Sequence, residues 1–190
     1  MGKSLKCSSS LNEISLSKNR LTSKSLLPLI HTLGINKEIL TNLKILNLSF
    51  NKLGFTAVQA IANYLENPDS YIHELNLEGN LLGDKSIVRL STAILKLGSI
   101  SSKIKTINFA QNLIGDIGAS ACANLIRECN NMQVMILYWN EIKNNGAYLL
   151  IQALRRNSSF AVFDISWNNI GNDLLQEQNK EELINKLHCF

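Results

Sequence analysis

Residues 43–53 read LKILNLSFNKL, with apolar residues at places one, four, six and eleven and an asparagine, Asn51, at place nine. The same form returns in residues 11–21, 72–82, 104–114, 132–142 and 160–170, each with its ninth-place Asn19, Asn80, Asn112, Asn140 or Asn168. Successive asparagines stand 32, 29, 32, 28 and 28 positions apart, a period that marks a stacked-repeat architecture.

The physical content of the form is a short strand. Places four and six alternate with free positions, so they share one face while the free positions share the other. A strand with one apolar face is not stable alone; six of them stacked in parallel pair their backbones and merge those faces into a core. The asparagine ends the strand where the backbone turns out of the ladder, and its amide both donates and accepts. All six asparagines are therefore read as an internal structural ladder rather than as catalytic groups.

Between the strands lie helical stripes. Residues Ala57, Val58, Ile61, Ala62 and Leu65 fall three or four apart, as do Leu26, Leu29, Ile30 and Leu33, a stripe that Gly34 is expected to close. Repeat four carries Gly115, Gly118, Ala119, Cys122, Ala123 and Ile126, and repeat five answers with Gly146, Ala147, Leu150, Ile151 and Leu154. From about residue 11 the chain resembles the ribonuclease-inhibitor type of leucine-rich repeat protein, whose units of 28 or 29 residues include a full helix. That resemblance implies an α/β solenoid, a horseshoe with a parallel β-sheet on the concave side and helices on the convex side. Strands pack closer than helices, which bends the stack in this sense. The expected organisation is a frayed start or fragment boundary at residues 1–10, then one domain over 11–190. Its repeats begin at 11, 43, 72, 104, 132 and 160, and a C-terminal helix and cap occupy 172–190.

Composition narrows function. The 190 residues are 45% apolar and 18% charged, with a net charge of +4. The cations are spread without a run, so neither nucleic acid nor a membrane is expected as a partner. No apolar run reaches the roughly 18 residues of a spanning helix and the N-terminus lacks a secretory core, so a soluble cytoplasmic protein is expected. Cys7, Cys122, Cys129 and Cys189 lack metal-ligand spacing and read as free thiols in a reducing compartment. His31, His73 and His188 sit in unrelated repeats, so no metal, cofactor or nucleophile–base pair is expected, and the chain reads as a non-enzyme.

The sheet face can be written out in advance, from places three, five, seven and eight. Its first four repeats are mostly small and polar, including Ser49, Ala110 and Gln111, with Phe50, Glu74 and Glu78 as exceptions. Its last two bring Ile136, Tyr138, Trp139, Asp164 and Trp167 together, including both tryptophans of the chain. Trp139 and Trp167 share place eight of neighbouring repeats and should lie side by side as interface anchors. Glu74, Glu78 and Asp164 favour a partner with basic groups, while an open sheet face offers no pocket for acid/base chemistry. The expected function is binding of another protein on the concave face by a chain that is monomeric when free, as an inhibitor or regulator. Relatives of this type that activate small GTPases supply an alternative, although this chain lacks their acidic tail. Glu177, Glu181 and Glu182 before Leu187 and Phe190 resemble the export tail of effectors sent by intracellular bacteria through a type IV system, which would place the protein in a host cytosol.

Overall fold

The computed structural model describes residues 11–96 and 103–171. Six three-residue strands, β1 (Glu13–Ser15), β2 (Ile45–Asn47), β3 (Glu74–Asn76), β4 (Thr106–Asn108), β5 (Val134–Ile136) and β6 (Val162–Asp164), form one parallel sheet in sequence order. The register never slips: Glu13, Ile45, Glu74, Thr106, Val134 and Val162 align across it. Helices α1 (Ser23–Ile35), α3 (Phe55–Leu65), α4 (Asp84–Lys96), α5 (Asp116–Glu128) and α6 (Asn144–Arg156) connect the strands, each packing on the next along the stack. This is the solenoid that the repeat period implies.

One extra element interrupts the first unit. Gly34 lies inside α1 and does not close it; the helix runs on to Ile35, and a second short helix, α2 (Lys37–Asn42), follows. The Asn36 side chain starts α2 by accepting from the Ile39 N–H at 3.2 Å. Ile39 and Leu40 of α2 are buried, which is how the longer first repeat uses its added residues.

Places four and six supply the core: Leu46, Leu48, Leu75, Leu77, Ile107, Phe109, Met135, Leu137, Phe163 and Ile165 are all buried. Leu16 of the first repeat is only half-buried, because no earlier repeat among the described residues covers it. The asparagines close the turns through the backbone. Asn112 Nδ2 donates to the carbonyls of Leu77 (3.1 Å), Phe109 (2.9 Å) and Ala110 (2.9 Å), while its Oδ1 accepts from the N–H groups of Asn80 (3.1 Å) and Leu82 (2.9 Å). Asn51, Asn140 and Asn168 repeat the pattern toward the preceding repeat. Asn19 is exposed, and its amide reaches its own Ser17 carbonyl.

The helices are capped across repeats. Ser23 Oγ accepts from the Ala57 N–H of α3 at 3.3 Å, and Asp84 Oδ1 accepts from the N–H groups of Gly115 and Gly118 at the start of α5 at 2.7 and 2.9 Å. Asp116 does the same for Lys143 and Gly146 at the start of α6, and Asn144 Oδ1 reaches the Gly171 N–H. At the starts of α3, α5 and α6 a side-chain oxygen thus satisfies orphan helix amides 27 to 34 residues further on, the role an N-cap residue normally fills locally. Phe55 holds the equivalent place in α3 and cannot accept; the Lys85 ammonium instead sits 4.3 Å from its ring centre.

Candidate protein-binding surface

The strands present Glu74 exposed and Ile45, Val134, Ile136, Val162 and Asp164 half-buried on the sheet face. Two of the positions expected to face solvent do not: Ser49 and Ala110, both at place seven, are buried. Ser49 is tied down by hydrogen bonds to Ser17 and Asn47, and Ala110, whose side chain ends at Cβ, does not reach the surface.

Place eight is where the surface stands out. Lys18, Phe50, Gly79, Gln111, Trp139 and Trp167 occupy it in the six repeats, and all six adopt a left-handed backbone with φ between 52° and 65°. The sheet ladder still runs through them, since each of the first five donates its N–H to the place-seven carbonyl of the next repeat. A left-handed backbone suits glycine and costs an ordinary residue about 1 kcal/mol or more. Gly79 is therefore the cheap solution, and it also leaves room for the Phe50 ring, which would sit 2.6 Å from any Cβ there.

Trp139 and Trp167 carry that backbone cost and are 62% and 74% exposed. Their rings stack with centroids 6.0 Å apart and planes 23° apart. The pair is thus a preformed apolar plate, and little further side-chain order is lost when a partner covers it.

Glu78 has a different role from the one its surface position implies. Its carboxylate accepts from Asn108 Nδ2 at 3.1 Å, from Gln111 Nε2 at 3.0 Å and from the Tyr138 hydroxyl, so it ties repeats three, four and five together. Burial, reinforced by the Glu78 hydrogen bond, pushes the Tyr138 phenol above its ordinary value, the Gln111 bond opposing. Tyr138 is held neutral and fixed beside Trp139. Asp164 uses Oδ1 on the Ser166 N–H at 2.9 Å. At places three, five and seven the sheet face carries Glu13, Glu74, Glu78 and Asp164 and no cation, a negative surface on a positively charged chain whose one sheet-face cation, Lys18, stands at place eight of the first repeat.

Among the exposed apolar residues that strand alternation does not predict are Leu81 at 68%, Leu113 at 46% and Ile117 at 67%. They sit on the turns after the strands and on the first residues of α5, where no period of two or 3.6 marks them. A groove of 430 Å³ lies between α4 and α5, lined by Val88, Leu95 and Ile117 among others, away from the tryptophan plate. Among the described residues no cluster of histidine, cysteine or carboxylate could hold a metal ion, and no helix is long and apolar enough to cross a membrane. His31 and His73 lie in separate repeats; His188, Cys7, Cys189, the cap at 172–190 and the acidic tail lie outside the described residues.

The family model described as "Leucine Rich repeat" matches residues 40–62, around the second strand and the helix after it. No curated protein matches the chain. Among solved structures the chain is similar to "Leiomodin-1 Actin-Binding Site 2 (ABS2)", at 19% identity over 65% of this chain and 69% of that one, with a TM-score of 0.54. At that identity the likeness concerns the fold. The unslipping parallel sheet, the helix in every full repeat, the backbone-bonded asparagines and these two matches agree: the chain is a leucine-rich repeat solenoid.

Proposed function

We propose that this chain is a non-enzymatic module of the ribonuclease-inhibitor type that binds a partner protein on its concave face and regulates it by covering the bound surface. The observation that carries this is the exposed Trp139–Trp167 stack. Ile136, Tyr138 and Phe50 extend its apolar contact, Glu74 and the free oxygen of Asp164 receive basic groups of the partner, and Glu78 fixes Tyr138. Aromatic plates of this kind supply most of the energy of protein interfaces, with charges around them steering approach. The buried Cys122 and Cys129, neither of them in a disulfide, fit a reducing compartment such as a cytosol, with the protein monomeric in the absence of a partner. No observation on the described residues favours the GTPase-activating or exported-effector alternatives.

The test is capture of partners by the full chain from cytosolic extract, followed by titration calorimetry with each purified candidate. Actin is included as one bait because the structurally similar leiomodin-1 chain is an actin-binding site. A partner held by the native chain and by Glu13→Ala, but lost by the Trp139→Ala/Trp167→Ala double variant, supports the reading. A partner held with native affinity by that double variant overturns it.

A further inference from the structure

The left-handed residues and the exposed apolar ones converge on a second surface. Besides the six at place eight, Arg20 and Leu81 at place ten also have positive φ, 54° and 57°. Every one of these eight lies on a turn that leads from a strand to a helix. They include four large apolar side chains, Phe50, Leu81, Trp139 and Trp167, two cations and no carboxylate. Leu113 and Ile117 continue the same edge, so six of the eleven exposed large apolar residues among the described ones stand on it.

Leu81 gathers the most unfavourable features. It is 68% exposed in a conformation that disfavours leucine. Next to it, Asn80 Oδ1 is buried without a hydrogen-bond partner. Lys52, Leu113, Glu141 and Asn169, its equivalents in other repeats, each donate an N–H to the preceding turn, and Leu81 does not. A turn that keeps strain, an orphaned polar atom and an exposed leucine together gives up stability that the fold alone had no reason to give up.

The charges on this edge complete the picture. Arg20, Lys24, Lys52, Lys85 and Lys143 are exposed on these turns or on the first helical residues. Asp84 and Asp116 are committed to helix amides, which leaves Glu141 as the exposed carboxylate of the described turns. In sequence these cations look scattered because the repeat period separates them; stacking brings them to one edge. Since the register never slips, equivalent turns stand side by side along the stack, giving a row of apolar side chains among cations, separate except for the stacked tryptophan pair.

We propose that this edge rests on the surface of an anionic lipid bilayer. Its tryptophans, leucines and isoleucine enter the boundary between headgroups and acyl chains, and its cations lie over the lipid phosphates. Away from the stacked tryptophans the row is one of single tips, which suits a flat, deformable surface better than the pocketed surface of a protein. The carboxylate-lined sheet face, which an anionic bilayer would repel, stays free for a protein partner. The inference stands apart from the concave-face reading, with Trp139 and Trp167 at the border of both surfaces.

The experiment is co-sedimentation of the full chain with vesicles of phosphatidylcholine alone or mixed with phosphatidylserine. Binding should appear with the serine lipid, weaken with salt, and fall about tenfold or more in Leu81→Asn/Leu113→Asn, which removes two apolar tips. Asparagine tolerates the left-handed backbone, so Leu81→Asn alone should melt no lower than the native chain, which separates lost binding from lost folding. Capture of the concave-face partner should survive in the double variant, so that failure of one reading is distinguishable from failure of the other. No serine-dependent sedimentation, or undiminished sedimentation of the double variant, overturns the proposal. So does a variant that loses an acidic protein partner while the native chain ignores vesicles.

Discussion

The carboxylate of Asp84 accepts from the Gly118 N–H at 2.9 Å, and a methyl group on Gly118 would stand 2.7 Å from the same oxygen. The cap and the glycine are therefore one feature. Asp84→Ala should cost about 1 kcal/mol by uncapping α5. Gly118→Ala should cost about 2 kcal/mol, the crowding outweighing its gain in helix propensity. The double variant should be less destabilised than the two singles combined, because the carboxylate that the methyl displaces is already gone. Urea unfolding of the three variants measures this; strict additivity would show that the two residues act independently.

Trp139→Gly and Trp167→Gly test whether place eight is kept for binding at the expense of the fold. Glycine relieves a left-handed backbone worth about 1 kcal/mol, and loss of the ring stack removes a similar amount, so melting temperature should shift by only a few degrees. Affinity for a concave-face partner should fall about thirtyfold for each, equivalent to about 2 kcal/mol. A sharp fall in melting temperature would show the rings to be structural.

Asn112 is 5% exposed and makes five hydrogen bonds to backbone groups of two repeats. Asn112→Leu should cost about 3 kcal/mol or more, since buried amides and carbonyls lose their partners together. The same change at exposed Asn19 should cost well under half as much. Thermal unfolding of the pair compares a ladder member that has a preceding repeat with one that has none among the described residues.

Burial, with a smaller contribution from the nearby Asp84 charge, pushes the Cys122 thiol from its ordinary value of 9.0 up to about 12. The native thiol should therefore resist alkylation at pH 8 and react only when the chain unfolds. The folded state holds its proton more tightly than the unfolded one, so this contribution to stability is complete below pH 9 and declines as pH rises from there toward 12. Cys122→Ala should flatten that decline, and unfolding midpoints at pH 8 and pH 10.5 measure it.

The strands, the sheet order and the stacked tryptophans were legible in the sequence because place-to-place alternation sets both burial and column. The left-handed backbone at place eight was not, since only Gly79 advertises it; lysine, phenylalanine, glutamine and tryptophan carry no such signal. The commitment of Glu78 to Tyr138, 60 residues away, depends on side-chain reach across two repeats, which a one-dimensional pattern does not encode. Burial of Ser49, held by hydrogen bonds to Ser17 and Asn47, and of the short Ala110 runs against their own alternation. The edge formed by Leu81, Leu113 and Ile117 stayed hidden because its members share neither helical nor strand spacing.

The cap relay also bears on modular construction. Repeat four carries both halves of the joint, Gly118 to receive the carboxylate of the unit before it and Asp116 to serve the unit after. Repeat three pairs its aspartate with Ser86, and repeat five pairs its glycine with Asn144. Residues 104–131 are thus a self-compatible brick: tandem copies would cap one another indefinitely, whereas duplicated copies of repeat three would set Asp84 against a serine at every seam.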